Sequence, residues 1–135
     1  MKRFLLALIA FLLLAGCQSK TVSGETVSAS GGSYKNVTPK ELNSMMKNKD
    51  FVLVNVHIPF AGNLPNTDLS IPYDQLDQNL SQLPADKAAK IVLYCRSGHM
   101  SQIAAEDLVS QGYTNVWTLQ GGMIEWEKDG FEIQK

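Results

Sequence analysis

Three short apolar runs constrain the fold of this chain more than any other feature: "FVLVNV" at 51–56, "IVLYC" at 91–95 and "NVWTL" at 115–119. They are continuous and rich in β-branched residues rather than alternating with polar ones, the pattern of strands buried on both faces of a parallel sheet. Helical signals separate them. Thr38 is placed as an N-cap, with Pro39 at the first helical position and Glu41 closing a capping box, and Leu42, Met45 and Met46 supply the apolar side. Leu76, Leu80 and Leu83 recur at helical spacing between Asp74 and Pro84. In "MSQIAAEDLVSQG" Met100, Ile103, Ala104 and Leu108 share one face, Glu106 and Asp107 face away, and Gly112 ends the segment. "GGMIEWEKDG" reads as a turn into a short last helix. Alternating strands and helices predict an α/β domain: a mostly parallel central sheet of about five strands with helices on both faces.

The first residues stand outside that pattern. Lys2 and Arg3 precede an apolar stretch from Phe4 to Ala15. A stretch of that length falls short of the ~20 residues that span a bilayer and matches a secretory signal. "LLAGC" at its end resembles the lipobox of bacterial lipoproteins, which implies cleavage after residue 16 and acylation of Cys17. Gln18 stands where an inner-membrane retention signal often has aspartate, so the resemblance points to the periplasmic face of the outer membrane, or to the cell surface in a host with one membrane. Removing residues 1–16 leaves ten basic and thirteen acidic residues, a formal charge of −3, which argues against a nucleic-acid partner. The stretch "QSKTVSGETVSASGGS" at 18–33 is poor in large apolar groups and reads as a flexible tether. The expected organisation is a signal over 1–16, a lipidated cysteine and tether over 17–33, and one folded domain over 34–135.

Cys95, in "YCRSGHMSQ", is the one cysteine of that domain. It could be buried filler, a disulfide half, a metal ligand or a nucleophile. Composition alone favours filler, because free cysteine is among the most buried residue types. Position favours the nucleophile. In parallel α/β sheets reactive groups gather at the carboxyl ends of strands, and a glycine-containing loop feeding a helix turns backbone amides and the positive end of the helix dipole toward the sulfur. Arg96 adds a positive charge. His57 and His99 do not complete a zinc signature with Cys95, since a second ligand pair is missing. Trp117 and Trp126 read as core.

"CRSGHMS", "LQGGMIEWEKDGFEI" and "VLVNVHIP" together resemble the single-domain rhodaneses, the thiosulfate sulfurtransferase family. The resemblance covers nearly all of residues 34–135, and its most specific parts are the cysteine loop and the pair Gly121–Gly122 with Trp126 four residues on. It implies that Cys95 attacks the outer sulfur of a small donor such as thiosulfate or a persulfide. Cys95 then holds that sulfur as a persulfide and passes it to a thiol, a protein or another thiophilic acceptor. Arg96, Ser97, Gly98, His99, Met100 and Ser101 would form the loop that cradles it. No metal or organic cofactor is implied, the chain is expected to act as a monomer, and the membrane is reached only through the N-terminal lipid.

Two departures bear on substrate. Met100 stands where many thiosulfate-using relatives carry a second arginine, which predicts weak thiosulfate turnover. Asn55 and His57 replace a familiar Asp-x-Arg, a pair whose part in relatives is mostly structural. A phosphatase would need an arginine at 100 or 101 to grip a phosphoryl group, and Ser101 does not supply one. A thiol redox module, or a persulfide-binding module without turnover, is the alternative: with Cys17 lipidated, Cys95 has no internal disulfide partner in what is usually an oxidising compartment.

Overall fold

The computed structural model describes residues 20–135. The signal expected over 1–16 and Cys17, the expected lipidation site, lie outside them. Six strands form one sheet: β1 (Glu25–Ala29), β2 (Gly32–Val37), β3 (Val52–Asn55), β4 (Leu69–Ser70), β5 (Ile91–Tyr94) and β6 (Val116–Leu119). Their order across the sheet is β1-β2-β6-β5-β3-β4, and every pairing is parallel except β1 with β2. The helices are α1 (Pro39–Met45), α2 (His99–Ser110) and α3 (Gly122–Lys128). The fold is the expected α/β layering, with one strand more than the count of about five.

The apolar runs form strands buried on both faces, because successive side chains alternate sides. Val54, Leu93 and Cys95 pack with the α2 residues Ala104, Ala105 and Leu108. Leu53, Val92, Tyr94 and Leu119 pack on the opposite face with Leu42 of α1 and with Met123 and Trp126 of α3. Both tryptophans are buried, as a core reading requires. The capping box of α1 is formed: Thr38 Oγ1 accepts from the Glu41 amide at 3.3 Å while the Glu41 carboxylate accepts from the Thr38 amide at 2.8 Å.

Two expectations are corrected. The tether reading fails over residues 25–33, where β1 and the start of β2 pair across a two-residue Ser30–Gly31 turn. Gly31, the second residue of the turn, takes φ +88°, a left-handed conformation that glycine adopts without steric cost, and Val27 and Ala29 lean on the α2-side core. The folded unit therefore starts well before Tyr34. The segment around Leu76–Leu83 is not an α-helix but two single 3₁₀ turns, Tyr73–Gln75 and Leu80–Gln82. Asn79 divides them: its side chain donates to the Gln75 carbonyl at 2.8 Å, a local bond that competes with helix continuation. Leu76 and Leu83 still reach the core.

Each of α1, α2 and α3 starts just after the carboxyl end of a strand. The N-terminal segment leaves the domain at the other edge. Lys20, Thr21 and Val22 line a shallow depression with Met45, Lys47 and Asp50, and Asp50, just ahead of β3, pairs at 3.0 Å with Lys90, just ahead of β5.

Candidate active site

Cys95 follows the last residue of β5, and the chain then turns into α2 through Gly98 at φ +103°. That angle lies in the left-handed region, which glycine adopts without steric cost. The turn aims the Gly98 amide at the sulfur, donating to Cys95 Sγ at 3.0 Å. Ser101, one turn into α2, donates through Oγ to the Gly98 carbonyl at 3.0 Å, and the same oxygen lies 3.7 Å from Sγ. An aimed amide and a helix N-terminus are groups that hold negative charge on sulfur, whereas the Ser101 hydroxyl, its proton given to the Gly98 carbonyl, accepts from the thiol.

The loop residues divide by exposure. Arg96, Ser97 and His99 face solvent, whereas Gly98 and Ser101 are buried. Met100 is half-buried and packs on the core cluster that contains Cys95. Cys95 itself is 1% exposed, so the sulfur lies at the floor of the loop. Of the cradle of amides expected over residues 96–101, the amide that meets Sγ is that of Gly98.

The loop is also held from the opposite face of the sheet. The Met123 amide donates to the Cys95 carbonyl at 2.9 Å and the Ile124 amide to the Arg96 carbonyl at 3.0 Å. Only glycine permits so close a docking at residue 122. A β-carbon there would stand 2.4 Å from the Cys95 oxygen and 2.5 Å from the Arg96 oxygen. The sequence marks Gly121 and Gly122 as a motif, but this role becomes legible only when α3 is seen against the cysteine loop.

A second wall rises from residues 55–64. Asn55, 2% exposed, donates to the Gly62 carbonyl and to Asn63 Oδ1, both at 2.9 Å, and accepts from the His57 amide at 3.0 Å. Tyr94, next to Cys95, accepts from the Leu64 amide at 3.1 Å and bonds Thr67 Oγ1 at 2.7 Å. Asn55 thus takes a structural part, as expected of the departed pair. His57 is half-buried, and desolvation first, then the charge of Arg96, lowers its pKa below the ordinary value. Between this wall, Arg96 and α3 lies a cleft of about 480 Å³ bordered by Phe60, Ala61, Gly62, Arg96, Ile124 and Glu127. Phe60 and Ile124 escaped the sequence reading, because nothing in the pattern distinguishes an exposed apolar residue from a core one. Among the described residues no three His, Cys, Asp or Glu side chains cluster as a metal site would need.

The rhodanese-like domain family model matches residues 38–129. A protein named sulfurtransferase from Allochromatium vinosum is 35% identical over 88 residues, covering 63% of this chain and 79% of that one. A Synechocystis protein with no assigned activity is 33% identical over 101 residues, 73% of this chain but 55% of its own length. Among solved structures, a rhodanese-like domain protein from Staphylococcus aureus superposes with a TM-score of 0.62 at 28% identity, over 75% of this chain and 99% of that one.

Proposed function

The chain belongs to the rhodanese-like domain family, and from that premise we propose that it is a sulfurtransferase carrying sulfur on Cys95. The Cys95 thiolate attacks the outer sulfur of a small donor, thiosulfate or a persulfide. A bond forms between Sγ and that sulfur, and the donor's own bond to it breaks with the electron pair leaving on the rest of the donor. The terminal sulfur of the resulting persulfide then passes to a thiol or protein acceptor. The observation that carries this reading is the Gly98 amide aimed at Sγ at 3.0 Å on the leading edge of α2. A cysteine that merely filled space at the end of β5 would need no such donor.

Because Sγ is buried, a donor must reach it past Arg96 and Ser97, the exposed residues of the loop. Mass spectrometry of the purified protein after exposure to thiosulfate, to a thiol persulfide and to oxidised glutathione tests the proposal. One added sulfur atom on Cys95, absent in Cys95→Ser, is the expected result. A glutathione adduct alone would instead make this a redox module, and no adduct at all an interaction domain.

We further place the protein at a membrane through acylated Cys17, on the periplasmic face of an outer membrane or on the cell surface. Three peptide units separate Cys17 from Lys20 and reach at most about 10 Å. Since Lys20 sits at the amino edge of the sheet, such an anchor holds that edge toward the bilayer and leaves the Cys95 loop facing away from it. The acceptor is then a soluble thiol or a protein that protrudes as far.

A further inference from the structure

The amino edge of the sheet carries a charge opposite in sign to that of the chain as a whole. The segments leading into β3, β4 and β5 hold Lys47, Lys49, Lys87 and Lys90 against Asp50, Asp68 and Asp86, and Lys20 lies beside them. Their balance is +2, in a chain whose residues 17–135 carry a formal −3. The ion pairs of the described residues join Lys49 to Asp68, Lys90 to Asp50 and Lys128 to Glu125. Lys20 and Lys47 are exposed and have no carboxylate partner among those residues. Both line the shallow depression ahead of β3, about 380 Å³ in volume. Thr21, Ser44 and Asn48 add hydroxyl and amide donors to its lining, and Val22 and Met45, which pack on the core, give it an apolar side. The Asp50 carboxylate borders it as well, but Lys90 Nζ donates to both of its oxygens, at 3.0 and 3.1 Å, and matches its charge.

We propose that this depression seats the headgroup of an anionic phospholipid in the membrane that anchors the chain. The inference rests on acylated Cys17 as the anchor and adds what the folded domain grips once it is there. A phosphodiester carries one negative charge on oxygens that accept hydrogen bonds, and two ammonium groups free of carboxylates, with hydroxyl and amide donors beside them, complement both properties. Chain length selects a lipid over a soluble phosphate. Cys17 stands three residues before Lys20, a reach of at most about 10 Å, so an acyl chain on Cys17 keeps the depression within reach of the headgroups. Lysine stems lie along protein surface while their ammonium groups extend to such an interface. A lipid anchor alone leaves the domain free to turn on its tether. A second contact at the amino edge fixes its orientation, with the Cys95 loop directed away from the bilayer.

The test adds the full chain, purified from membranes, to preformed vesicles of phosphatidylcholine with or without phosphatidylglycerol. A membrane-impermeant reagent then acetylates its amines, and mass spectrometry reads the rate at each lysine. Lys20 and Lys47 should each react about fivefold more slowly on the vesicles containing phosphatidylglycerol, the worth of one cation at an anionic lipid surface. Lys40, in the first turn of α1 at the opposite edge of the sheet, should keep its rate, and high salt should erase the difference. Lys47→Glu should abolish the slowing at Lys20. Equal rates on the two kinds of vesicle, the same slowing at Lys40, or slowing at Lys20 that persists in Lys47→Glu overturns the headgroup seat. So does equal protection by soluble glycerol phosphate on vesicles of phosphatidylcholine alone, which would assign the depression to a free phosphate. A chain that carries no acyl mass and associates with neither kind of vesicle is a different result: it overturns Cys17 as the anchor, and the seat with it.

Discussion

Replacing Gly122 with alanine isolates the contact that joins α3 to the cysteine loop. The new β-carbon would lie 2.4 Å from the Cys95 oxygen, 2.5 Å from the Arg96 oxygen and 2.6 Å from the Arg96 carbonyl carbon, all backbone atoms that no rotamer change can move aside. Relief even to 3.0 Å, below which real β-carbon contacts essentially never fall, parts the two segments by at least about 0.6 Å. That displacement carries the Met123 and Ile124 amide bonds, now 2.9 and 3.0 Å, to the limit of useful hydrogen bonding. Losing both costs about 2 kcal/mol, and a β-carbon in the left-handed region, at φ +59°, adds about 1 to 2 kcal/mol. Gly130 supplies the control: it sits at φ +89° with nothing within 4 Å of a built β-carbon, so Gly130→Ala should cost only the conformational part, about 1 to 2 kcal/mol. The two variants should therefore differ by about 2 kcal/mol, a separation of roughly 1 M in urea midpoint for a domain of this size. Sulfur loading of Cys95 should fall in Gly122→Ala as well. Equal urea midpoints for the two variants would refute the docking argument.

Met100→Arg should raise sulfur loading from thiosulfate about tenfold, the worth of one charge-assisted contact to an oxyanion; an unchanged rate counts against reading Met100 as the missing cation. For His57, whose pKa is lowered in the fold by burial and then by Arg96, the unfolded chain binds the proton first as pH falls. Stability should thus be full above the ordinary value of 6.5 and decline as pH drops from there toward the folded value, and His57→Gln should flatten that limb of the urea midpoint against pH. Asp107 has the opposite sign: burial, then Asp77 and Glu106, raise its pKa, so Asp107→Asn should stabilise the protein at neutral pH, with a gain that shrinks as the medium is acidified. Cys17→Ser should move the protein from the membrane fraction to the soluble fraction and abolish palmitate labelling, while retention in membranes would remove the lipid anchor from the proposal.

What the sequence discloses here follows from how local each determinant is. β3, β5 and β6 are legible because each is a continuous apolar run buried on both faces, and α1 because Thr38, Pro39 and Glu41 specify its start within four residues. β1 is missed because its signal is two inward residues, Val27 and Ala29, set among serines and threonines whose composition matches a linker; only the Ser30–Gly31 turn and pairing with β2 make it a strand. The leucines at 76, 80 and 83 mislead for the converse reason. They have helical spacing and do reach the core, yet Asn79 bonds back to Gln75 and splits the segment into turns. At the site, Cys95, Gly98 and Ser101 occupy one contiguous stretch and can be read directly. The grip of α3 on that stretch joins residues 95–96 to 122–124, and no pattern inside either segment announces it.

The same topology explains why residue 95 is held at both its sulfur and its carbonyl. Helices that return alongside parallel strands all begin at the carboxyl edge, so α2 and α3, packed on opposite faces of the sheet, both bring their N-terminal amides to the end of β5. α2 gives the Gly98 amide to Sγ, and α3 gives the Met123 amide to the carbonyl oxygen of the same residue. Groups fixed in this way need no reorganisation when charge develops on sulfur, which is the condition for electrostatic preorganisation. It also restricts how a sulfur that is 1% exposed becomes accessible. Unfurling the loop backbone would break the bonds from both helices at once, whereas the exposed side chains of Arg96 and Ser97 can swing aside while every one of those bonds persists. Donor entry through side-chain motion is therefore the less costly route, and it passes beside the cleft that Arg96 borders.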